Sequence, residues 1–283
     1  MTSDKFTIGM DIGGTHIRAV IVDKSGTVIK SLLEKTGSRR SPGDICTQIN
    51  ESIDTLCHKS STKRNCLHAI GIGIAAWINK RNGFIPVAPN LGWNDVSFGD
   101  ILSKAVPEPA CVINDLSAIT YGEWKLGTGL GFSDILCVFV GSGLGCGLIL
   151  DSKLYEGSMG YAAELGHITV RKNGRKCGCG QRGCLEAYVG GNYLAKGSNK
   201  TDRDSIAKYL ASGISTAVKI LNPECIILGG GMIKGNPSTF DETREILLKI
   251  TPEPFAKNIT FQKPLLGEMA GAIGAALIAL KRL

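Results

Sequence analysis

The chain has 283 residues, 43% of them hydrophobic and 20% charged, which suits a folded core and excludes a disordered or fibrous protein. Its 32 basic and 25 acidic residues leave a formal charge of +7. The positives are scattered, with only short runs such as Ser38-Arg39-Arg40 and Lys63-Arg64, so the expectation is a solvated surface suited to a small anion, with no nucleic-acid partner. The length is enough for two domains. The opening MTSDKFTIGMDIGG has neither the basic region nor the apolar run of a signal peptide, and the apolar run Met269–Leu280 is too short to span a bilayer. A reducing, cytoplasmic compartment and no membrane partner are therefore expected.

Strands are predicted at Phe6–Asp11, His16–Val22 and Val28–Leu33, separated by Gly13-Gly14 and Lys24-Ser25-Gly26. Ile45, Ile49, Ile53 and Leu56 recur at helical spacing and predict a helix over 44–57. His68–Ala75 and Cys111–Ile113 read as buried strands, the second leading into a helix that begins near Asp115. Ile135–Val140 is a strand that enters Gly141-Ser142-Gly143-Leu144-Gly145-Cys146-Gly147 and returns along Leu148–Leu150. This repeats the opening pattern of strand, Gly-rich turn with a hydroxyl residue, strand. Two such units suggest a duplicated architecture with a cleft between the halves. A helix is predicted from about Arg203 to Leu221, a strand over Cys225–Leu228 ending in Gly229-Gly230-Gly231, and an Ala-rich helix from about Glu268.

Between the second Gly-rich turn and the helix near 203 lies Gly166-His167, then Cys177-Gly178-Cys179-Gly180-Gln181-Arg182-Gly183-Cys184-Leu185-Glu186. Three thiols and an imidazole in a short Gly-rich span form a closed tetrahedral donor set, so His167, Cys177, Cys179 and Cys184 are predicted to bind a structural Zn2+ with no coordination position left open. The alternatives are a disulfide loop, disfavoured by the expected reducing compartment, and buried thiols that merely pack. Glu164 and Glu186 flank the span and are not needed as ligands. The seven other cysteines are read as core residues.

The turn Asp11-Ile12-Gly13-Gly14-Thr15 can face backbone N–H groups and the Thr15 hydroxyl toward an anion, and Asp11 at a strand end suits a hydrated Mg2+. Gly141, Ser142 and Gly143 offer the same a second time, and Gly229, Gly230 and Gly231 form a third cluster. Together they point to a nucleoside triphosphate. A Rossmann turn fits worse, because Gly141–Gly147 is followed by a strand-like segment; no Gly-Lys-Ser/Thr P-loop is present either.

Asp11-x-Gly13-Gly14-Thr15, Asn90-Leu91-Gly92-Trp93, Asn114-Asp115, Gly141-Ser142-Gly143-Leu144-Gly145, Glu164-Leu165-Gly166-His167, the cysteine cluster with Glu186, and Leu228-Gly229-Gly230-Gly231 together make the chain resemble the ROK family (repressor, open reading frame, kinase) over nearly its whole length. The resemblance implies an α/β, actin/hexokinase-like (ribonuclease H-like) duplicated two-lobe fold. It implies an ATP-dependent sugar kinase that transfers the γ-phosphoryl to a hexose or N-acetylhexosamine hydroxyl, most often on C6, and acts as a homodimer. Asp115 matches the catalytic base; its other reading is the N-cap of a helix. Asn90, Asn114, Glu164, His167 and Glu186 would contact sugar hydroxyls, and Gly229, Gly230 and Gly231 would lie against adenine and ribose. The expected small lobe is 1–114 with the C-terminal helix 268–283, and the large lobe is 115–267.

Two departures touch the sugar site. The strand near Ile74 continues as Ala75-Ala76-Trp77 where the family has Pro-Gly, and Thr15-His16-Ile17-Arg18 is similar to allose kinases. The segment between Glu186 and Cys225 is short for the family. Glucose, N-acetylglucosamine, N-acetylmannosamine and allose all stay open as substrates. The alternative function is a catalytically weak, sugar-sensing regulator. A DNA-binding repressor of this family would carry a helix-turn-helix ahead of the first turn, where only Met1–Thr7 stand, so it is not expected. A zinc-ribbon nucleic-acid module would need a second knuckle and a clustered basic face.

Overall fold

The computed structural model describes residues 5–38, 40–195 and 205–283. The chain divides into two compact units, one made of 1–127, 156–162 and 266–283, the other of 128–155 and 163–265.

In the first unit, strands β1 (Phe6–Ile12), β2 (His16–Val22) and β3 (Val28–Lys35) form an antiparallel meander, and β4 (Leu67–Ile74) and β7 (Ala110–Asn114) add to β1 in parallel. The sheet order is β3-β2-β1-β4-β7. Phe6, Ile8, Met10 and Ile12 alternate onto one face with Ile45, Ile49, Ile53 and Leu56 of helix α1 (Pro42–Ser60) in one core. Ser41 opens α1 with a capping box: its hydroxyl accepts the Asp44 N–H, and the Asp44 carboxylate accepts back from Ser41. A small hairpin, β5 (Ile85–Ala88) and β6 (Trp93–Val96), and helix α2 (Phe98–Ala105) complete the side carrying Asn90.

The other face carries helix α10 (Ala270–Arg282), numbered last of the helices in the chain. Its small residues are explained by close approach: a Cβ on Gly9 or Gly71 would come within 1.9 Å of an α10 carbonyl oxygen. Helix α3 (Asp115–Leu126) packs on α10 as tightly, since a Cβ on Gly274 would fall 1.7 Å from the Ala118 oxygen. Residues 115–126, assigned by sequence to the large lobe, thus belong to the first unit, and the division falls at Gly127. Residues 156–162 also return there, with Lys80 Nζ donating to the Gly157 carbonyl and Arg282 paired with Glu156.

In the second unit, β8 (Ile135–Val140), β9 (Leu144–Leu150) and β10 (Lys153–Leu154) form an antiparallel meander, and β11 (Cys225–Gly229) and β12 (Thr260–Gln262) add to β8 in parallel. The order β10-β9-β8-β11-β12 repeats that of the first sheet, strand for strand. This is the duplicated actin/hexokinase-like α/β fold expected. The core joins Leu136, Val138 and Val140 to Leu210, Ile214 and Val218 of α6 (Ile206–Leu221), with Phe240 and Leu247 of α8 (Ser238–Ile250). Two short helices, α4 (Glu186–Val189) and α5 (Gly191–Leu194), follow the cysteine cluster, and α7 (Gly231–Gly235) and α9 (Glu253–Ala256) are comparably brief. The predicted start of α6 at Arg203 lies outside the described residues. Of the seven cysteines outside the cluster, five are buried and Cys66 and Cys111 are half-buried. Among the described residues no helix is long and apolar enough to cross a membrane.

Candidate functional site

In the first unit the candidate residues gather at the carboxyl ends of neighbouring parallel strands, the usual ligand edge of α/β sheets. Asp11 pairs with Gly73, and Ile74 with Asn114, so the ends of β1, β4 and β7 lie side by side. The first turn joins β1 to β2, closed by Gly13 N–H donating to the His16 carbonyl at 3.0 Å. Thr36, just past β3, braces it: its hydroxyl donates to the Gly13 carbonyl at 2.6 Å and its N–H to that of Thr15 at 2.9 Å. A Cβ on Gly14 would come within 2.7 Å of the Asn90 carbonyl oxygen, so this turn and Asn90 are direct neighbours. Thr15 and Asn90 are exposed. Burial pushes the Asp11 carboxyl up to about 6, against the opposing pull of Arg18, whose guanidinium lies 4.0 Å away.

Asn114, not Asp115, is the N-cap of α3: its backbone is extended (φ −61°, ψ 137°) and its side-chain oxygen accepts the Ser117 N–H at 3.0 Å. Its amide also donates to the Ala76 carbonyl at 3.1 Å, tying the Ala75-Ala76-Trp77 segment to the start of α3. Asp115 is thereby the first residue inside the helix, half-buried, with Oδ1 accepting the Leu116 N–H at 2.9 Å.

In the second unit Gly141, Ser142 and Gly143 make the equivalent hairpin turn between β8 and β9, with Ser142 exposed. Phe139 of β8 pairs with Gly229 of β11, which brings the third glycine cluster beside this turn. Gly230 has φ +100°, and a Cβ there would strike the Val140 carbonyl at 2.3 Å, so a glycine is required by the strand-to-helix turn itself.

The donor atoms of His167, Cys177, Cys179 and Cys184 all lie within 4.8 Å of one another. Cys179 and Cys184 sulfurs are 3.7 Å apart, and Cys177 Sγ lies 3.6 Å from His167 Nδ1. Tetrahedral zinc with Zn–S near 2.3 Å requires donor separations of about 3.5–3.8 Å, whereas a disulfide requires about 2.05 Å. The donor set therefore fits zinc. Burial, and then the neighbouring thiols, push Cys184 up to about 12, so an incoming ion would have to displace a proton. The knuckle is tied by Cys177 N–H donating to the Gln181 carbonyl at 2.8 Å and by left-handed backbone at Gly180 and Gly183.

Both flanking glutamates adjoin this cluster. Glu164 Oε2 is 3.7 Å from His167 Nε2, the ring nitrogen other than the one beside Cys177. Glu186, at the start of α4, accepts the Leu144 N–H on Oε2 at 2.9 Å, and its Oε1 is 3.9 Å from Cys177 Sγ. The sequence reading missed Tyr193 and Tyr188. Tyr193 Oη accepts the Gly178 N–H at 2.6 Å and lies 3.7 Å from Cys177 Sγ; Tyr188 Oη accepts the Arg175 N–H at 2.9 Å. Their nearness to Cys184 in sequence was the available signal.

The sequence pattern of the ROK family matches residues 7–205 and 198–282. The chain belongs to the ROK family. It is 29% identical to a glucokinase of Streptomyces coelicolor, a match covering 96% of this chain and 97% of that protein. A solved ROK family glucokinase from Streptomyces griseus, in complex with glucose and AMPPNP, superposes with a TM-score of 0.82 at 28% identity, covering 98% of this chain and 99% of the other. A xylose repressor of Bacillus spizizenii is 26% identical, a match covering 98% of this chain but 77% of the repressor.

Proposed function

We propose that this ROK protein is an ATP-dependent kinase that phosphorylates a hexose, at the C6 hydroxyl, with Asp115 as the base. The observation that carries the reading is the placement of Asp11 and Asp115 at the carboxyl ends of strands in one parallel set, in a chain similar to glucokinases along its whole length. Phosphoryl transfer runs through a loose transition state, so the protein's task is to position groups and offset charge. Asp115 orients the sugar hydroxyl and takes its proton as the new P–O bond forms and the bond to the leaving ADP breaks. Its contribution should be about 10²–10⁴-fold in rate.

The turns Gly13-Gly14-Thr15 and Gly141-Ser142-Gly143 would supply N–H and hydroxyl donors to the phosphates, and Asp11 a carboxylate to the Mg2+ that accompanies ATP. Gly229, Gly230 and Gly231 would let adenosine approach the backbone. Asn90, Glu164, His167 and Glu186 would hold sugar hydroxyls, and Asn114, whose amide is already engaged as a cap, has one further N–H to offer. His167, Cys177, Cys179 and Cys184 would hold a structural Zn2+ that fixes Glu164 and Glu186. A homodimer and a cytoplasmic location belong to the same proposal; thiols gathered as ligands suit a reducing compartment.

The test is ADP release from ATP across glucose, allose, N-acetylglucosamine and N-acetylmannosamine, with glucose expected to lead. Sugar binding without ADP release from any of them would favour the regulatory alternative, which the similarity to the xylose repressor keeps in view.

A further inference from the structure

The second glycine turn is held from one side by elements that follow the last cysteine. Gly191 N–H donates to the Gly141 carbonyl and Asn192 N–H to the Ser142 carbonyl, each at 2.9 Å. In a trans peptide the C=O and the next N–H point in opposite directions, and no cis bond occurs among the described residues. Anchoring the carbonyls of Gly141 and Ser142 on the start of α5 therefore fixes the N–H groups of Ser142 and Gly143 to point away from it. The next amide, Leu144 N–H, is held by Glu186 Oε2 at 2.9 Å. Glu186 packs so close to the turn that a Cβ on Gly143 would fall 2.3 Å from that oxygen.

The same two helices reach the cysteine knuckle. Glu186 stands two residues after Cys184 and places Oε1 3.9 Å from Cys177 Sγ. Tyr193 of α5 takes the Gly178 N–H at 2.6 Å and directs its hydroxyl to Cys177 Sγ at 3.7 Å. A hydroxyl donated to a sulfur ligand and an acceptor for the knuckle's own amide are the outer contacts that orient metal ligands. Gly190 N–H closes on the Glu186 carbonyl at 2.8 Å, so α4 and α5 are linked to each other.

We infer that the Cys3His knuckle sets the grip of the second glycine turn on the nucleotide phosphates, with Glu186 and Tyr193 as the positioning residues that connect them. Metal loss then weakens nucleotide binding as well as sugar binding. This rests on the kinase reading for the identity of the ligand, but the coupling itself is a property of contacts within one unit.

The experiment measures MgAMPPNP binding by calorimetry, without sugar, to zinc-loaded wild type, Glu186→Gln, Glu186→Ala and Tyr193→Phe. Folding is followed by circular dichroism, and zinc affinity by competition with a chromogenic chelator. The Gln side chain keeps an oxygen for the Leu144 N–H, so Glu186→Gln should bind nucleotide within about twofold of wild type, whereas Glu186→Ala should bind about tenfold more weakly. Tyr193→Phe should lower zinc affinity about 10–100-fold. Its nucleotide affinity should fall at limiting zinc and recover when zinc is added. Equal nucleotide affinity in Glu186→Ala and wild type, both folded, overturns the inference and leaves the kinase reading standing. So does a Tyr193→Phe protein whose nucleotide binding ignores zinc. Failure of zinc-loaded wild type to bind MgAMPPNP overturns both.

Discussion

The two hairpin turns occupy equivalent places in two sheets of identical strand order, yet they are braced by different means. The first turn's carbonyls are taken by a single residue, Thr36, through its hydroxyl and its N–H. The second turn's carbonyls are taken by the start of α5, and its following amide by Glu186, both next to a cluster of four metal donors. Duplication supplies the topology of a glycine-rich hairpin turn twice. What steadies each turn comes from a different later segment of its own unit, so the two are expected to fail under different insults.

The largest expected contrast comes from Cys179→Ser. Zinc content should fall from about one ion per chain, sugar affinity should drop more than about tenfold, and the melting temperature should decline, because a structural site contributes directly to folding. Hydrogen exchange should speed up over 141–145 and 164–194 and stay near wild type over 6–22. Uniform loss of protection in both segments would erase the distinction between the turns.

A smaller effect concerns Asp11, whose carboxyl burial lifts from 3.8 to about 6. Below pH 3.8 both folded and unfolded chains hold the proton. Between 3.8 and 6 only the folded chain keeps it, so stability contributed by the neutral form is lost as pH rises through that window. Asp11→Asn should flatten this part of the curve of urea midpoint against pH, measured without Mg2+ or nucleotide. Because the ionised form is the one proposed to meet Mg2+, activity should rise through the same range in wild type. An unchanged midpoint curve in Asp11→Asn would show that the carboxyl is not perturbed.

The smallest expected effect is that of Thr36→Val, which removes one hydroxyl from the first turn and keeps the N–H. The cost should be about 1 kcal/mol in stability, read by urea denaturation. Zinc content should not change. A loss as large as that of Cys179→Ser would mean that Thr36 does more than brace its own hairpin.

Much of this was legible in the chain itself. Strands bounded by glycines, the Ile45-Ile49-Ile53-Leu56 periodicity, and the Cys3His spacing are local signals, and the structure places them as expected. Helix α8 was missed because its buried stripe is Thr239, Phe240, Thr243 and Leu247, half of it threonine. The strands β5, β6 and β12 have only three or four residues each, too few for alternation to register. Asn114 and Asp115 are both good N-caps, and only the backbone angles decide between them. The assignment of α3 to the first unit depends on backbone contact through Gly122 and Gly274, which hydrophobic patterning does not encode. Tyr193 reads as an ordinary aromatic until the fold brings its hydroxyl to Cys177.

The most direct test of the catalytic claim is Asp115→Asn, assayed for ADP release with glucose and for glucose binding in the same preparation. Turnover should fall about 10²–10⁴-fold while glucose affinity stays within about threefold. Turnover within a few-fold of wild type, with the protein folded and zinc-loaded, would contradict the role of Asp115 as the base and with it the proposed chemistry at the strand ends.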